Sequence, residues 1–321
     1  MTHEVPSGFA DVSVIVAAYQ AAGTVTRTLE SIAAQTLKPT EVVVVDDGST
    51  DGTFEAAKAY DPHMNGIRLR IVRSETNQGA GAARNRAIEE STGVYLAFLD
   101  ADDEWLPEKL ERTMAYLEGS VYCLVAHDYW TGEGDSAVHH DCEERFREGG
   151  DPFAALYRKG YIPSCSVVAP RERVIAAGGF DPGLPNAQDF DLWLAMTRDP
   201  GSTFLVFGEP LLRYHMGDGG IMSHTARRLS CCLKIAMRYM PDIKRRPGQG
   251  LRSVWFRTMA LYLEAIRAYG GKRRAGRLLL TVLELPFSLL AMTVFYFLAT
   301  PPPRGRYLQA SGVHTPRNSN G

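Results

Sequence analysis

The stretch Val94-Tyr95-Leu96-Ala97-Phe98-Leu99-Asp100-Ala101-Asp102-Asp103 sets a six-residue apolar run directly against three carboxylates. A continuous apolar run of that length suits a strand covered on both faces, as in a parallel sheet. Its acidic end marks the strand's carboxyl terminus. A second boundary of the same kind lies upstream, where Glu41-Val42-Val43-Val44-Val45 runs into Asp46-Asp47-Gly48-Ser49-Thr50-Asp51-Gly52. That cluster mixes turn formers with N-cap residues, so a helix is expected to start near Asp51 or Thr53. Further strands are expected at Val12–Ala17, Leu69–Val72 and Val121–His127. Val25, Leu29, Ile32 and Ala33 recur at helical spacing, residues 82–90 read as a helix, and Pro107 is expected to open another at its first position. One more helix is expected around residues 189–197. Strands alternating with helices predict an α/β fold: a Rossmann-like, mainly parallel sheet with helices on both faces. Ligands of such sheets sit at the carboxyl ends of the strands, where both acidic clusters fall.

The chain has 321 residues, 45% hydrophobic and 22% charged, an ordinary globular composition that excludes disorder for most of its length. Its formal net charge of -2 conceals an asymmetry: residues 1–225 carry 18 Lys and Arg against 34 Asp and Glu, whereas residues 226–277 carry 14 against two. An acidic half and a basic half suggest that the latter meets an anionic surface. No basic stretch carries a nucleic-acid motif, so nucleic acid is not expected as a partner. The five cysteines form no Cys-x-x-Cys pair, and an odd number suits free thiols in a reducing compartment. Residues 1–11 are polar and read as no secretory signal. Residues 278–299 are the most apolar segment, interrupted by Glu284 and Pro286 and flanked by Lys272, Arg273, Arg274 and Arg277 before and Arg304 and Arg306 after. Basic residues at both ends suit an interfacial or re-entrant helix; a packed soluble helix and a single span are the alternatives.

Asp100 and Asp102 can divide the handling of a nucleotide diphosphate, one carboxylate toward the ribose and one toward a divalent cation that neutralises the phosphates. Acidic turns are common, and it is the buried strand before this one that singles it out. A carboxylate in Asp46-Asp47 can accept the N–H of a pyrimidine ring, while the same residues also suit a capped turn. A dinucleotide-dependent dehydrogenase would need Gly-x-Gly-x-x-Gly after the first strand; Ala17-Ala18-Tyr19-Gln20-Ala21-Ala22-Gly23 lacks it. A sugar nucleotidyltransferase would show a Gly-rich basic loop there, also absent.

Val14–Tyr19, Ser31–Thr36, Val45–Thr53, Asn77–Asn85, Phe98–Asp103 and Gln188–Leu194 together resemble the family 2 inverting glycosyltransferases of the GT-A fold. The resemblance runs from about Val12 to Ser223 and stops near Ala226. It implies roles for matching positions. Ala17 and Tyr19 border the nucleotide base, and Asp47 with Asp46 beside it holds the base edge or ribose. Arg84 lies near the nucleotide, unless it serves a structural ion pair. Asp100 faces the ribose, Ala101 beside it touches the donor, and Asp102 binds Mn²⁺ or Mg²⁺ with the diphosphate, while Asp103 shapes the turn. Asp189 is the base that deprotonates the acceptor hydroxyl. The family often has Glu before this Asp, where this chain has Gln188. Without the resemblance, Asp189 reads as an N-cap; Asp191 is its internal competitor for the base, with capping of the same helix as its other reading. His215 matches a metal- or diphosphate-reaching His, Gly217-Asp218-Gly219-Gly220 reads as a lid, and Ser223 and His224 lie on its far side. Trp193 is either core or a wall of the acceptor pocket.

The expected organisation is a GT-A domain over residues 1–225, with a donor half at 12–106 and an acceptor half at 107–225. A basic, membrane-associating helical extension follows at 226–300, then a disordered tail at 301–321. The implied partners are a nucleotide-diphosphate sugar, UDP-linked on this reading, and a glycan or lipid-linked acceptor at the cytoplasmic face of a membrane. A polyprenyl-phosphate acceptor is the alternative within the class, and an inactive nucleotide-sugar-binding protein is the alternative outside it.

Overall fold

The computed structural model describes residues 5–132, 134–147, 150–160, 162–215, 224–271, 274–301 and 303–308. The first half alternates β1 (Phe9–Ala18), α1 (Val25–Ala33), β2 (Lys38–Asp46), α2 (Thr53–Ala59), β3 (Arg68–Arg73), α3 (Ala80–Glu90) and β4 (Tyr95–Asp100). Next come β5 (Glu104–Trp105), α4 (Lys109–Leu117), β6 (Tyr122–His127), β7 (Tyr129–Thr131), β8 (Val138–His140), α5 (Cys142–Phe146) and α6 (Pro152–Lys159). Then follow β9 (Val168–Pro170), α7 (Arg171–Ala176), α8 (Gln188–Met196), β10 (Thr203–Phe207) and β11 (Leu212–Tyr214). The chain ends in α9 (Thr225–Arg238), α10 (Met240–Lys244), α11 (Leu251–Gly271) and α12 (Ala275–Leu298).

Among the described residues the main sheet has seven strands in the order β10-β6-β9-β4-β1-β2-β3, all parallel to their neighbours except β9. Val42, Val43, Val44 and Val45 are wholly buried because β2 is covered on both faces, each worth about 1.5–3 kcal/mol of apolar burial. Crossovers from β1 move outward to β2 and β3, and β4 then returns to the other side of β1. The strand order therefore reverses between β1 and β4, which opens a crevice at their carboxyl ends. A second sheet, β5-β11-β7-β8, begins immediately after the acidic end of β4.

Three details differ from the sequence reading. Pro107 does not open α4: the helix starts at Lys109 behind the N-cap Glu108. Pro286 does not interrupt the apolar segment, because α12 runs through it as one helix of 24 residues. Residues 303–308, expected in a disordered tail, lie against the first half of the chain: the Tyr307 and Leu308 amides donate to the Gly178 carbonyl at 2.7 and 3.1 Å, and Leu308 is buried. The expected C-terminal helical extension is present, and its Cys231, Cys232, Ile235, Tyr239 and Ile243 belong to the same core as the sheet.

Candidate active site

Parallel register brings the expected residues to one edge. Ala17 pairs with Asp100 across β1 and β4, and Ala18 pairs with Asp46 across β1 and β2. Tyr19 follows directly and is 51% exposed at the mouth of the crevice. Asp46 and Asp47 are buried beneath it. Asp46 Oδ1 accepts the Ser49 amide at 3.0 Å, and Oδ2 lies 3.4 Å from Arg73 Nε. Asp47 accepts the Gln78 amide at 3.0 and 3.1 Å and the Gly79 amide at 2.7 Å, so it fastens the loop that starts α3. Gly48 makes this approach possible: its φ is +75°, and a Cβ there would stand 2.9 Å from the Thr76 carbonyl carbon. Any contact of Asp47 with a base must share oxygens that already receive backbone N–H groups.

Arg84 links the two halves of the crevice. From α3, its Nη2 sits 2.5 Å from Asp100 Oδ1, its Nη1 donates to Gln188 Oε1 at 3.4 Å, and its guanidinium lies 5.3 Å from the Phe180 ring centre. Burial opposes the charge, but Asp100 outweighs it and holds the guanidinium's pKa above its usual value. The structural ion pair, one of the two alternatives in the sequence, is thus formed. Gln188 explains itself here. Its amide donates to the Leu184 carbonyl at 2.5 Å while its oxygen accepts from Arg84. A glutamate has no donor for Leu184. Gly81 leaves room for this carboxamide, since a Cβ would come within 2.9 Å of Gln188 Nε2.

Asp189 is the second residue of α8, behind Ala187, which holds the left-handed conformation at φ 58° without being glycine. Such backbone strain is kept where the surroundings enforce it. Asp189 Oδ1 accepts the Phe190 amide at 2.8 Å. Burial raises its pKa, against the pull of the Phe190 amide, Arg228 and Arg84. Asp191 is not a cap. It is fully buried and clasped by Arg238 at 2.7 Å and Arg304 at 2.6 Å. Trp193 is core: wholly buried, it packs on Phe98 and Phe180 and donates to the Ile162 carbonyl at 3.1 Å.

Asp102 reaches solvent, yet the protein crowded around it and the Asp100 carboxylate push its pKa up to about 6. Ala101 is buried and offers a ligand little side-chain surface; it spaces the two acids. Asp103 does shape the turn, taking the His215 amide on Oδ1 at 2.9 Å, and burial pushes its carboxyl well up. The His215 ring has Nε2 committed to Glu104 Oε1 at 2.7 Å, a partner that the sequence reading missed although Glu104 continues the acidic run. Cys165, without any motif to announce it, accepts the Asp100 amide at 3.3 Å and completes a group with buried Asp103 and half-buried Asp100 whose ligand atoms lie within 4.8 Å of one another.

A divalent cation can be tested against these donors. Burial keeps the Cys165 thiol protonated, and a hard cation prefers oxygen. Asp103 is enclosed, with the Cys165 thiol beside its carboxylate. Asp102 is the acid on the open side, beside a second carboxylate and within electrostatic reach of His215. The acids at the β4 end fit a cation bound through Asp102. The Gly217–Gly220 segment and Ser223 lie outside the described residues.

The family model described as "Glycosyl transferase family 2" matches residues 13–169. The amylovoran biosynthesis glycosyltransferase AmsB of Erwinia amylovora is 29% identical over 220 residues, 64% of this chain and 69% of that protein. The putative teichuronic acid biosynthesis glycosyltransferase TuaG of Bacillus subtilis is 30% identical over 223 residues, 66% of this chain and 82% of that protein. WfgD of Escherichia coli, named as a UDP-Glc:alpha-D-GlcNAc-diphosphoundecaprenol beta-1,3-glucosyltransferase, is 26% identical, covering 68% and 82%. Among solved structures, S. aureus TarS 1-349 in complex with UDP-GlcNAc superposes with a TM-score of 0.63 at 20% identity, over 90% of this chain and 81% of that one. The mannosyltransferase PcManGT of Pyrobaculum calidifontis, in complex with GDP-Man and Mn²⁺, gives 0.59 at 19% identity, over 92% and 90%. At these identities the structures establish a shared fold, the GT-A fold.

Proposed function

The chain belongs to glycosyl transferase family 2, and from that premise we propose an inverting transfer of a sugar from a UDP-linked donor to a hydroxyl of a glycan or lipid-linked acceptor. Asp189 takes the proton of the acceptor hydroxyl as its oxygen attacks the anomeric carbon. The bond from that carbon to the diphosphate breaks on the opposite face, and the nucleoside diphosphate leaves. Arg84 and Asp100 orient the donor, and Tyr19 and Ala17 border its base. Asp47 holds the Gln78-Gly79 loop along that side. A Mn²⁺ or Mg²⁺ ion held by Asp102, with His215 nearby, would supply Lewis-acid neutralisation of the diphosphate.

One observation supports this reading: Arg84 binds Asp100 and also touches Gln188, the neighbour of Asp189, which brings the end of β4 and the start of α8 to the same arginine. A raised carboxyl pKa suits a base working near neutral pH. The substrate named for WfgD supports a diphosphate-lipid acceptor carrying the accepting sugar, and such an acceptor implies work at the cytoplasmic face of a membrane. The test uses the purified full chain, UDP-sugars and Mn²⁺. Asp189→Asn is expected to cut transfer by about 100-fold or more while metal-dependent donor binding, read by calorimetry, is unchanged. Transfer at the wild-type rate would remove Asp189 from the role.

A further inference from the structure

The hairpin of α11 and α12 carries an apolar ridge that no described residue covers. Leu280, Leu283, Phe287, Leu290, Val294 and Phe297 recur at alternating steps of three and four, so they share one face of α12, and all are exposed, Phe287 to 73%. Its 24 residues reach about 36 Å, enough for the roughly 30 Å hydrocarbon core of a bilayer. Length alone would let it cross.

The ends of α12 forbid that. α11 runs antiparallel along it: Trp255 Nε1 donates to Thr293 Oγ1 at 2.8 Å, the Tyr262 hydroxyl lies 2.5 Å from Ser288 Oγ, and a Cβ on Gly270 would touch Leu278 at 3.5 Å. α11 in turn packs on α6 and α9, burying Val254, Thr258, Leu261 and Ala265. Beyond α12, Arg304 is fastened to Asp191 and Leu308 to Gly178. A crossing would drag α11, with its exposed Arg252, Glu264 and Arg267, and the body behind it into hydrocarbon. Entry tip-first would submerge Arg274 and Arg277, both exposed at the turn.

Charge selects the occupant of the ridge. Lys244, Arg245, Arg252, Arg267, Arg274 and Arg277 are exposed around the α11–α12 hairpin, so a second copy would bring like charge against like, whereas anionic headgroups complement it. We propose that α12 lies in the plane of an anionic lipid bilayer, its ridge sunk about 5–10 Å with Arg274 and Arg277 at headgroup level, and that the protein is monotopic. The proposal rests on the membrane part of the proposed function and not on the sugar chemistry. Vesicle binding without transfer would remove the reaction alone; transfer to a soluble acceptor without vesicle binding would remove this surface alone.

The test is flotation of the full chain with vesicles of phosphatidylcholine mixed with phosphatidylglycerol. The wild type is expected to float, and Phe287→Glu combined with Leu290→Glu to lower the bound fraction about tenfold at unchanged melting temperature. The native cysteines are buried, so a polarity-sensitive dye can be placed on Leu283→Cys, Leu290→Cys and Phe297→Cys in turn. Equal quenching of all three by a nitroxide at one lipid depth is the expected result. Quenching graded along the helix would mean a crossing and overturn the proposal. So would failure of the wild type to float, or ridge substitutions that turn a lipid-free dimer into a monomer.

Discussion

Asp102 is held in an environment that opposes its charge, and this has two measurable consequences. Its carboxyl sits at about 6 rather than near 3.8, through desolvation and then Asp100. Only the ionised form attracts a cation, so metal-dependent donor affinity is expected to fall as pH drops through about 6, as titration calorimetry at several pH values would show. For stability the sign is opposite to that of a salt-bridged acid. A raised folded pKa means that the native state binds more protons than the unfolded state between about 3.8 and about 6, so this group loses the protein stability as pH rises. Asp102→Asn is therefore expected to raise the melting temperature at pH 7 without metal, to lose that gain near pH 3, and to abolish metal-dependent donor binding. A lower melting temperature at pH 7 would contradict the desolvated-acid description. At this scale the sequence was partly legible. The acids at strand ends stand out by contrast with the apolar run before them, but Asp189 sits among ordinary helix-start residues and only the motif as a whole singles it out. Gln188, Glu104 and Cys165 acquire their roles from partners distant in sequence or turned inward by the fold, and no local pattern reports them.

The elements that carry these residues were legible because burial on both faces of a strand demands unbroken apolar runs. β1, β2 and β4 follow from that rule alone, and their parallel register then sets Ala17, Asp46 and Asp100 side by side. The loop after β2 is the element most open to test. Gly48 alone lets it touch the Thr76-Asn77 backbone. Gly48→Ala is expected to destabilise the fold by about 1–3 kcal/mol from the left-handed backbone alone, measured by urea unfolding, and to weaken donor binding because the Gln78-Gly79 loop must shift. An alanine variant with unchanged stability would mean that this contact is dispensable. The segment 278–299 misled where the elements did not. Proline and glutamate read as interruptions, yet a helix supported along its length by α11 tolerates both.

At the scale of the whole molecule, the basic C-terminal region closes back on the acidic half. Arg238 of α9 and Arg304 beyond α12 both grasp Asp191, two residues from the proposed base. Neither partner is visible in sequence, because an ion pair across 113 residues leaves no spacing to read. Arg304→Ala leaves Arg238 in place and is expected to cost about 2 kcal/mol in urea unfolding, with slower transfer and unchanged metal-dependent donor binding. Unaltered stability would show that the strap does not brace α8. On the proposed mechanism the acids closing β4 hold one cation on the open side of the crevice that Asp189 borders. Anomalous scattering from a crystal grown with Mn²⁺ and UDP locates that ion. The expected result is a single strong peak in contact with an Asp102 carboxylate oxygen and the UDP diphosphate; a peak enclosed between Asp103 and Cys165, or one remote from the β4 end, would contradict it.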